Sequence, residues 1–152
     1  MTPSDLEAVF ELRQATRENR VSLQELEEGY GITREGLAHD MRSHVRGWLA
    51  EDERRVVGFA MGDASTGEVQ VVAVHPDYED RGLGKALLAR VIDWLFAQKH
   101  AEVWLRANPD PTLRAFGFYR KLGWQRTGEV RGSEEILRLS RSAPDLPWRS
   151  QI

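Results

Sequence analysis

The chain contains no cysteine in its 152 residues, which excludes disulfides, thiolate-held metals and a cysteine nucleophile. It has no run of about 18 apolar residues, so no membrane-spanning helix is predicted. The opening MTPSDLEAVF lacks the basic and then apolar pattern of a secretory leader, and a cytoplasmic protein is the expectation. A positive surplus is missing too: 21 Lys and Arg stand against 24 Asp and Glu, giving −3 and a pI near 5.8. Nucleic acid is therefore not an expected partner. The four histidines, His39, His44, His75 and His100, show no ligand spacing, and no metal is expected. No repeat, low-complexity tract or linker interrupts the chain, and its length suits a single domain over 1–152.

What is there is a change of period. Ser4 and Glu7 have the spacing of a capping box, and Leu6, Val9, Phe10 and Arg13 follow at helical intervals, predicting a helix over 5–18. Ser22 and Glu25 repeat that signature ahead of a short segment that stops at Gly29 and Gly31. Thr33 caps another helix, with Leu37, Ala38, Met41 and Val45 on one stripe. Then GWLAE (47–51), VVGFAMGD (56–63) and EVQVVAV (68–74) read as an antiparallel meander. Leu83, Leu87, Leu88, Val91, Ile92 and Leu95 restore helical spacing over 82–98, and EVWLRA (102–107) reads as a buried strand. Asp110 and Pro111 mark a helix start and Gly123 its stop. Strands over 124–130 and 135–140, joined by RGSE, precede an irregular tail containing Trp148. The order is α+β: a helical segment over about 4–45, a core over about 46–131 and a carboxy-terminal strand and tail over 132–152. Its central βαβ crossover requires helices on both faces of the sheet.

One stretch asks for a chemical reason. HPDYEDRGLGKALL (75–88) places Gly82 and Gly84 where a helix opens, although glycine costs roughly 1 kcal/mol against alanine inside a helix. A tight turn or close helix packing would account for them. So would an anion, because the free N–H groups and partial positive charge of a helix's first turn hold phosphate where side chains would crowd it. The spacing differs from the GxxxxGK[ST] of a nucleotide P-loop, so an unrelated phosphate-binding domain using RGLGK is the weaker explanation.

Taken together, VVAVHPDYEDRGLGKALL (71–88) and, some thirty residues on, AFGFYRKLGW (115–124) resemble the Gcn5-related N-acetyltransferases, or GNAT family. Their phosphate loop reads Q/R-x-x-G-x-G/A after a strand ending in V-x-P. The resemblance spans about residues 46–131 in motif, and nearly the whole chain in element order. It implies a mixed central sheet of about six to seven strands flanked by about four helices, with acetyl-CoA as cosubstrate and no metal. It implies that backbone amides of Glu79, Asp80, Arg81, Gly82, Leu83, Gly84, Lys85 and Ala86 wrap the pyrophosphate. The strand residues Val72, Ala73 and Val74 would lie against the thioester.

The chain departs from the family pattern in three places. Glu79 stands where glutamine or arginine is usual, and Asp80 where a glycine or another small or basic residue is common; Arg81 and Lys85 supply compensating positive charge. Only Met1 to Pro3 precede the first helix, so the family's opening strand is missing or very short. Thr112 stands where the family often has asparagine, and nearby Asn108 is the candidate to replace it.

Acetyl transfer to an amine requires a neutral nitrogen, donors for the developing oxyanion and a proton for the leaving thiolate. At pH 7 an amine with a pKa near 10.4 is only roughly one part in a thousand neutral. By resemblance, Tyr119 is the general acid toward the CoA sulfur, and a backbone N–H near Val72 to Val74 polarises the thioester oxygen. Glu68 resembles the general base of the histone-type members, acting directly or through a water; a solvated glutamate at a strand end is the other reading. Alternation puts Glu68, Gln70, Val72 and Val74 on one face. Phe116 and Phe118 read as aromatic core, Gly117 as a point of close approach, and His75 as part of an HPD turn. Arg13, Arg17, Glu18, Asn19 and Arg20, with Glu25, Glu27, Glu28 and Tyr30, lie where the family forms its acceptor pocket, as a selecting surface or a solvated one. The expected activity is acetyl transfer to a primary amine of a small molecule or peptide through a ternary complex, with a CoA-binding or sensing module as the alternative. A homodimer through the carboxy-terminal strands is a further expectation from relatives.

Overall fold

A computed structural model describes residues 1–15 and 33–141. The segment from Ser22 to Gly31 and the residues Arg17, Glu18, Asn19, Arg20, Glu25, Glu27, Glu28, Tyr30 and Trp148 lie outside the described residues. A 3-10 turn, Pro3–Asp5, leads into α1 (Leu6–Ala15). The cap falls two residues earlier than the Ser4/Glu7 pattern suggests, because Asp5 is close enough for its carboxylate to accept from the Thr2 N–H at 2.8 Å. No strand precedes it among the described residues. Helix α2 (Arg34–Met41) starts as expected, with the Gly36 N–H donating to Thr33 Oγ1 at 3.0 Å.

The remaining elements are β1 (Val45–Asp52), β2 (Arg55–Asp63), β3 (Glu68–Val74), α3 (Leu83–Ala97), β4 (Glu102–Ala107), α4 (Arg114–Lys121), β5 (Gln125–Arg131) and β6 (Glu134–Ser140). Among the described residues this gives a six-stranded mixed sheet and four α-helices, ordered β1-β2-β3-β4-β6-β5. Neighbours are antiparallel except β3 and β4, which the α3 crossover makes parallel.

Helices cover both faces. On one, Leu87, Leu88, Val91, Ile92 and Leu95 of α3 meet Ala60, Val69, Val103, Leu105, Leu137 and Leu139 of the sheet. Each such fully buried aliphatic side chain contributes about 1.5–3 kcal/mol. The fit is close at Gly62, where a Cβ would stand 2.6 Å from Val91 Cγ1. On the other face, Val9 and Leu12 of α1 pack on Val45, Phe59, Met61, Val71 and Ala73, with Leu37 and Met41 of α2 at the edge.

Two irregularities interrupt the sheet near its middle. Met61 pairs with Val71 and Gly62 with Val69, so Gln70 is an extra residue, a bulge in β3. The strict alternation expected for this strand therefore breaks: Val69 shares the α3 face with Val72 and Val74, and Glu68 falls on the opposite side. The second irregularity lies between the parallel strands. Among the described residues β3 and β4 pair at Glu68 opposite Trp104 and nowhere else, and past that point they diverge into a wedge.

Candidate active site

The wedge opens into a cavity of about 980 Å³ that passes through the sheet. Its apex holds Glu68 and Arg106, and its sides include Val72 and Val74 of β3 and Ala107 and Asn108 after β4. One mouth is bounded by Glu79, Asp80, Gly82, Leu83, Gly84 and Lys85 at the head of α3. The other is bounded by Val9, Phe10 and Arg13 of α1 and by Thr33, Leu37 and Asp40 around α2. A ligand lying in the wedge is thus reached from both faces.

At the first mouth, the 3-10 turn Pro76–Tyr78 follows β3 directly, and His75 caps it, its Nδ1 accepting from the Asp77 N–H at 3.1 Å. His75 therefore has the structural part that an HPD turn suggests. The chain then turns through Asp80 at φ 65° and Gly82 at φ 80° before α3 begins at Leu83. Aspartate is among the few residues that tolerate this left-handed region. The first turn of α3 has no acidic side chain of its own and no side-chain cap, and Leu83, Gly84 and Lys85 at its head line the cavity.

The loop is braced on the β1–β2 hairpin. The Tyr78 hydroxyl donates to Asp52 Oδ2 at 2.5 Å, the Arg81 guanidinium sits 4.8 Å from the Tyr78 ring centre, and Arg55 Nη2 lies 3.1 Å from His75 Nε2. The hydrogen bond to Asp52 is the main reason that the Tyr78 phenol is held above its usual pKa.

Tyr119 reaches the cavity from α4, beside Phe118 and Ala115. Its ring packs edge-on against Phe118 at 5.1 Å and Trp124 at 5.9 Å. Helix α4 begins at Arg114, later than Asp110 and Pro111 suggest, because the Asp110 carboxylate accepts from Thr112 N and Oγ1 at 2.9 and 2.8 Å and closes a separate turn. Those bonds, led by the backbone one, hold the Asp110 carboxyl below its usual range. Asn108 lines the cavity, with its side-chain oxygen accepting from the Asp110 N–H at 3.0 Å. The buried Glu135 fastens α4 to the sheet by accepting from Arg120 at 3.0 Å and Arg126 at 2.8 Å. No neighbour lies within 4 Å of where a Gly117 Cβ would stand, so the close approach expected there is not found among the described residues.

Glu68 sits at the apex, mostly buried, with Oε2 3.4 Å from Arg106 Nε. Burial raises its carboxyl pKa, and Arg106 opposes that rise. The structure therefore brings Glu68, Tyr119, Val72, Val74, Asn108 and most of the phosphate-loop residues around one cavity. It leaves Ala73 with its methyl in the α1 core, Arg81 stacked on Tyr78, and Ala86 exposed, its N–H donating to the Gly82 carbonyl at 3.0 Å. Sequence reasoning missed Arg106, Trp104 and the Asp52 brace, although Glu102, Trp104 and Arg106 form the polar stripe of EVWLRA. Among the described residues no helix is long and apolar enough to cross a membrane, and no three acidic or histidine side chains gather as a metal site.

Comparison with known proteins agrees with this fold. Solved structures that share the fold include the PaiA N-acetyltransferase of Thermoplasma acidophilum in complex with coenzyme A. That likeness has a TM-score of 0.75 at 21% identity, over 92% of this chain and 95% of that one. The ribosomal-protein-S18-alanine N-acetyltransferase of Escherichia coli gives a TM-score of 0.64 at 21% identity, over 91% and 87%. In sequence, the mycothiol acetyltransferase of Kocuria rhizophila is 33% identical over 74% of this chain and 38% of its own length. The uncharacterized N-acetyltransferase ycf52 of Porphyra purpurea is 34% identical over 49% of this chain and 42% of its own. The chain thus spans about two-fifths of the length of these curated relatives. The family model described as Acetyltransferase (GNAT) family matches residues 6–124, most of the chain, and the chain belongs to that family.

Proposed function

We propose that the protein is an acetyl-CoA-dependent N-acetyltransferase that acetylates a primary amine of a small molecule or peptide by direct attack in a ternary complex. The observation that carries this reading is the wedge: one cavity joins the amide-rich head of α3 to Glu68 and to the α1–α2 side. Acetyl-CoA enters as substrate, its pyrophosphate on the amides of residues 79–85 and its thioester between β3 and β4. Glu68, directly or through a water, takes the proton that the acceptor nitrogen must lose. The nitrogen attacks the thioester carbon, and backbone N–H groups near Val72 to Val74 stabilise the oxyanion. As the C–S bond breaks, the Tyr119 phenol, an O–H donor, supplies the proton to the CoA sulfur. The reading assigns the reaction to the cytoplasm, with a homodimer through the last strands as its quaternary form.

The raised pKa of Glu68 suits a base, because a stronger base abstracts the proton more readily as long as it stays ionised. It also has a thermodynamic sign. A carboxyl with a raised folded-state pKa binds more protons in the native than in the unfolded chain. Its contribution to stability is complete below the unfolded pKa and is lost as pH rises through the folded one.

A second reading, a CoA-binding module without turnover, draws on Glu79 and Asp80, two carboxylates lining the mouth where phosphate would sit. Calorimetric titration with acetyl-CoA, with dephospho-CoA as comparison, followed by thiol release over an amine panel, separates the two. Micromolar binding with amine-dependent thiol release, reduced about 10²–10⁴-fold in Glu68→Gln, is the expected result. Binding that strengthens in Glu79→Arg while no amine turns over would favour the module. No binding at millimolar acetyl-CoA would sink both. The chain itself contributes no thiol background.

A further inference from the structure

The apex of the wedge contains more than a carboxylate. The Trp104 indole N–H donates to the Thr66 carbonyl at 3.0 Å, which fixes the ring against the β2–β3 turn. The Arg106 guanidinium lies 5.7 Å from the centre of that ring, inside the range of a cation–π contact, and reaches Glu68 from there at 3.4 Å. Arg131 of β5 lies 5.1 Å from the same ring and is itself paired with Glu129 at 3.2 Å. The one paired position between β3 and β4, Glu68 with Trp104, sets the distance that Arg106 has to span.

We propose that Arg106, seated on Trp104, is a positioning residue that holds the Glu68 carboxylate ionised and fixed at the apex where the acceptor nitrogen must arrive. The catalytic half of this proposal rests on the reading of Glu68 as the base. An unpaired carboxylate at this depth would be free to rotate, and without the opposing cation burial would raise its pKa further, which works against its ionised form. The surroundings bear this out in sign. Burial is the largest influence and raises the Glu68 pKa, Arg106 lowers it by charge and by hydrogen bond, Asp63 of β2 raises it, and Arg131 lowers it. Arg13 of α1, Asp40 of α2 and Glu134 of β6 line the same cavity, and His100 packs beside Gly67. Arginine suits the place because its planar fork can lie on an indole and still direct N–H groups at a carboxylate, which a lysine ammonium does less well.

The test follows the carboxyl carbons of glutamate by ¹³C NMR across pH, with the Glu68 signal assigned by its loss in Glu68→Gln, beside pH profiles of kcat/KM. In Arg106→Gln the Glu68 titration and the acidic limb of kcat/KM should move together to higher pH. Turnover at pH 7 should fall about tenfold, with the KM for acetyl-CoA unchanged. Arg106→Lys should recover part of the shift. Trp104→Phe, which keeps an aromatic body but loses the bond to Thr66, should move the titration in the same direction by less. A Glu68 titration that stays in place in Arg106→Gln overturns the proposal. Wild-type turnover in Glu68→Gln overturns the base reading and the catalytic half with it, whereas the NMR titration decides the electrostatic half without any substrate.

Discussion

The two arms of the wedge are built on different principles. In the arm formed by β1, β2 and β3, strand β2 is buried from Val57 through Gly62, and apolar side chains fill both faces. In the arm formed by β4, β6 and β5, the outer strand β5 is exposed along most of its length. Its inner strands share the apolar core through Val103, Leu105, Leu137 and Leu139, and charge pairs are added around them: Glu135 with Arg120 and Arg126, Glu129 with Arg131 and Arg138, and Arg138 with Glu102. The difference stems from what each arm holds. The first sets the backbone path of β3 and the loop after it, and dense apolar packing fixes backbone geometry well. The second sets ionisable side chains, Arg106 beside Glu68 and Tyr119 on a helix fastened by Glu135, and paired charges fix those.

The first arm should break most readily in its core. Ile92 is fully buried between α3 and the sheet, and Ile92→Ala should cost about 2–5 kcal/mol, through lost transfer energy and the cavity left behind. Denaturant unfolding with an unchanged m-value would register it. A loss under about 1 kcal/mol would mean that α3 can settle into the space, and that the first arm is less rigid than its burial suggests.

The packing of this arm was the most legible part of the chain. Leu83, Leu87, Leu88, Val91, Ile92 and Leu95 announce α3 by spacing alone, and the three strands of the meander announce themselves by their apolar runs and turns. What escaped was set by partners distant in sequence. The bulge at Gln70 exists because β2 pairs around it, and a period-two reading of β3 cannot detect it. The contact of Arg106 with Glu68 depends on the register of two parallel strands joined by a helix, which no local pattern encodes. The starts of α1 and α4, unlike those of α2 and α3, departed from expectation for a local reason. More than one acid or hydroxyl could cap, and Asp5 and Asp110 each closed a nearby turn instead of serving the expected position.

The glycine pair gives a sharper cut, within one loop of the first arm. Gly82 has φ 80° and open space around its missing side chain, so its role is conformational. Gly82→Ala should cost about 1–2 kcal/mol of stability and distort the loop. Gly84 lies within α3, and a Cβ there would meet Phe118 and Val74 at 3.6 and 3.7 Å, ordinary contact distances. Gly84→Ala should therefore gain up to about 1 kcal/mol in helix propensity while weakening acetyl-CoA binding, because the methyl crowds the amide cradle. Thermal melting and calorimetry on the same two variants would show whether stability and affinity part at Gly84. If affinity survived there, the glycine would be a packing choice and the cradle would lie elsewhere.

The smallest effect belongs to the second arm. Arg138 is half exposed and reaches Glu102 at 3.9 Å and Glu129 at 3.7 Å, both of them also exposed. Pairs of this kind exchange a modest Coulomb gain for side-chain entropy in a solvent that screens them. Arg138→Ala should thus change stability by no more than about 0.5 kcal/mol, and less as salt is raised. Glu135, three residues earlier in the same strand, is buried between two arginines, so the strand holds both kinds of charge pair at once. If removing Arg138 cost as much as removing a core isoleucine, the exposed ladder would be a structural element in its own right. The second arm would then be held by its surface, as the first is held by its interior.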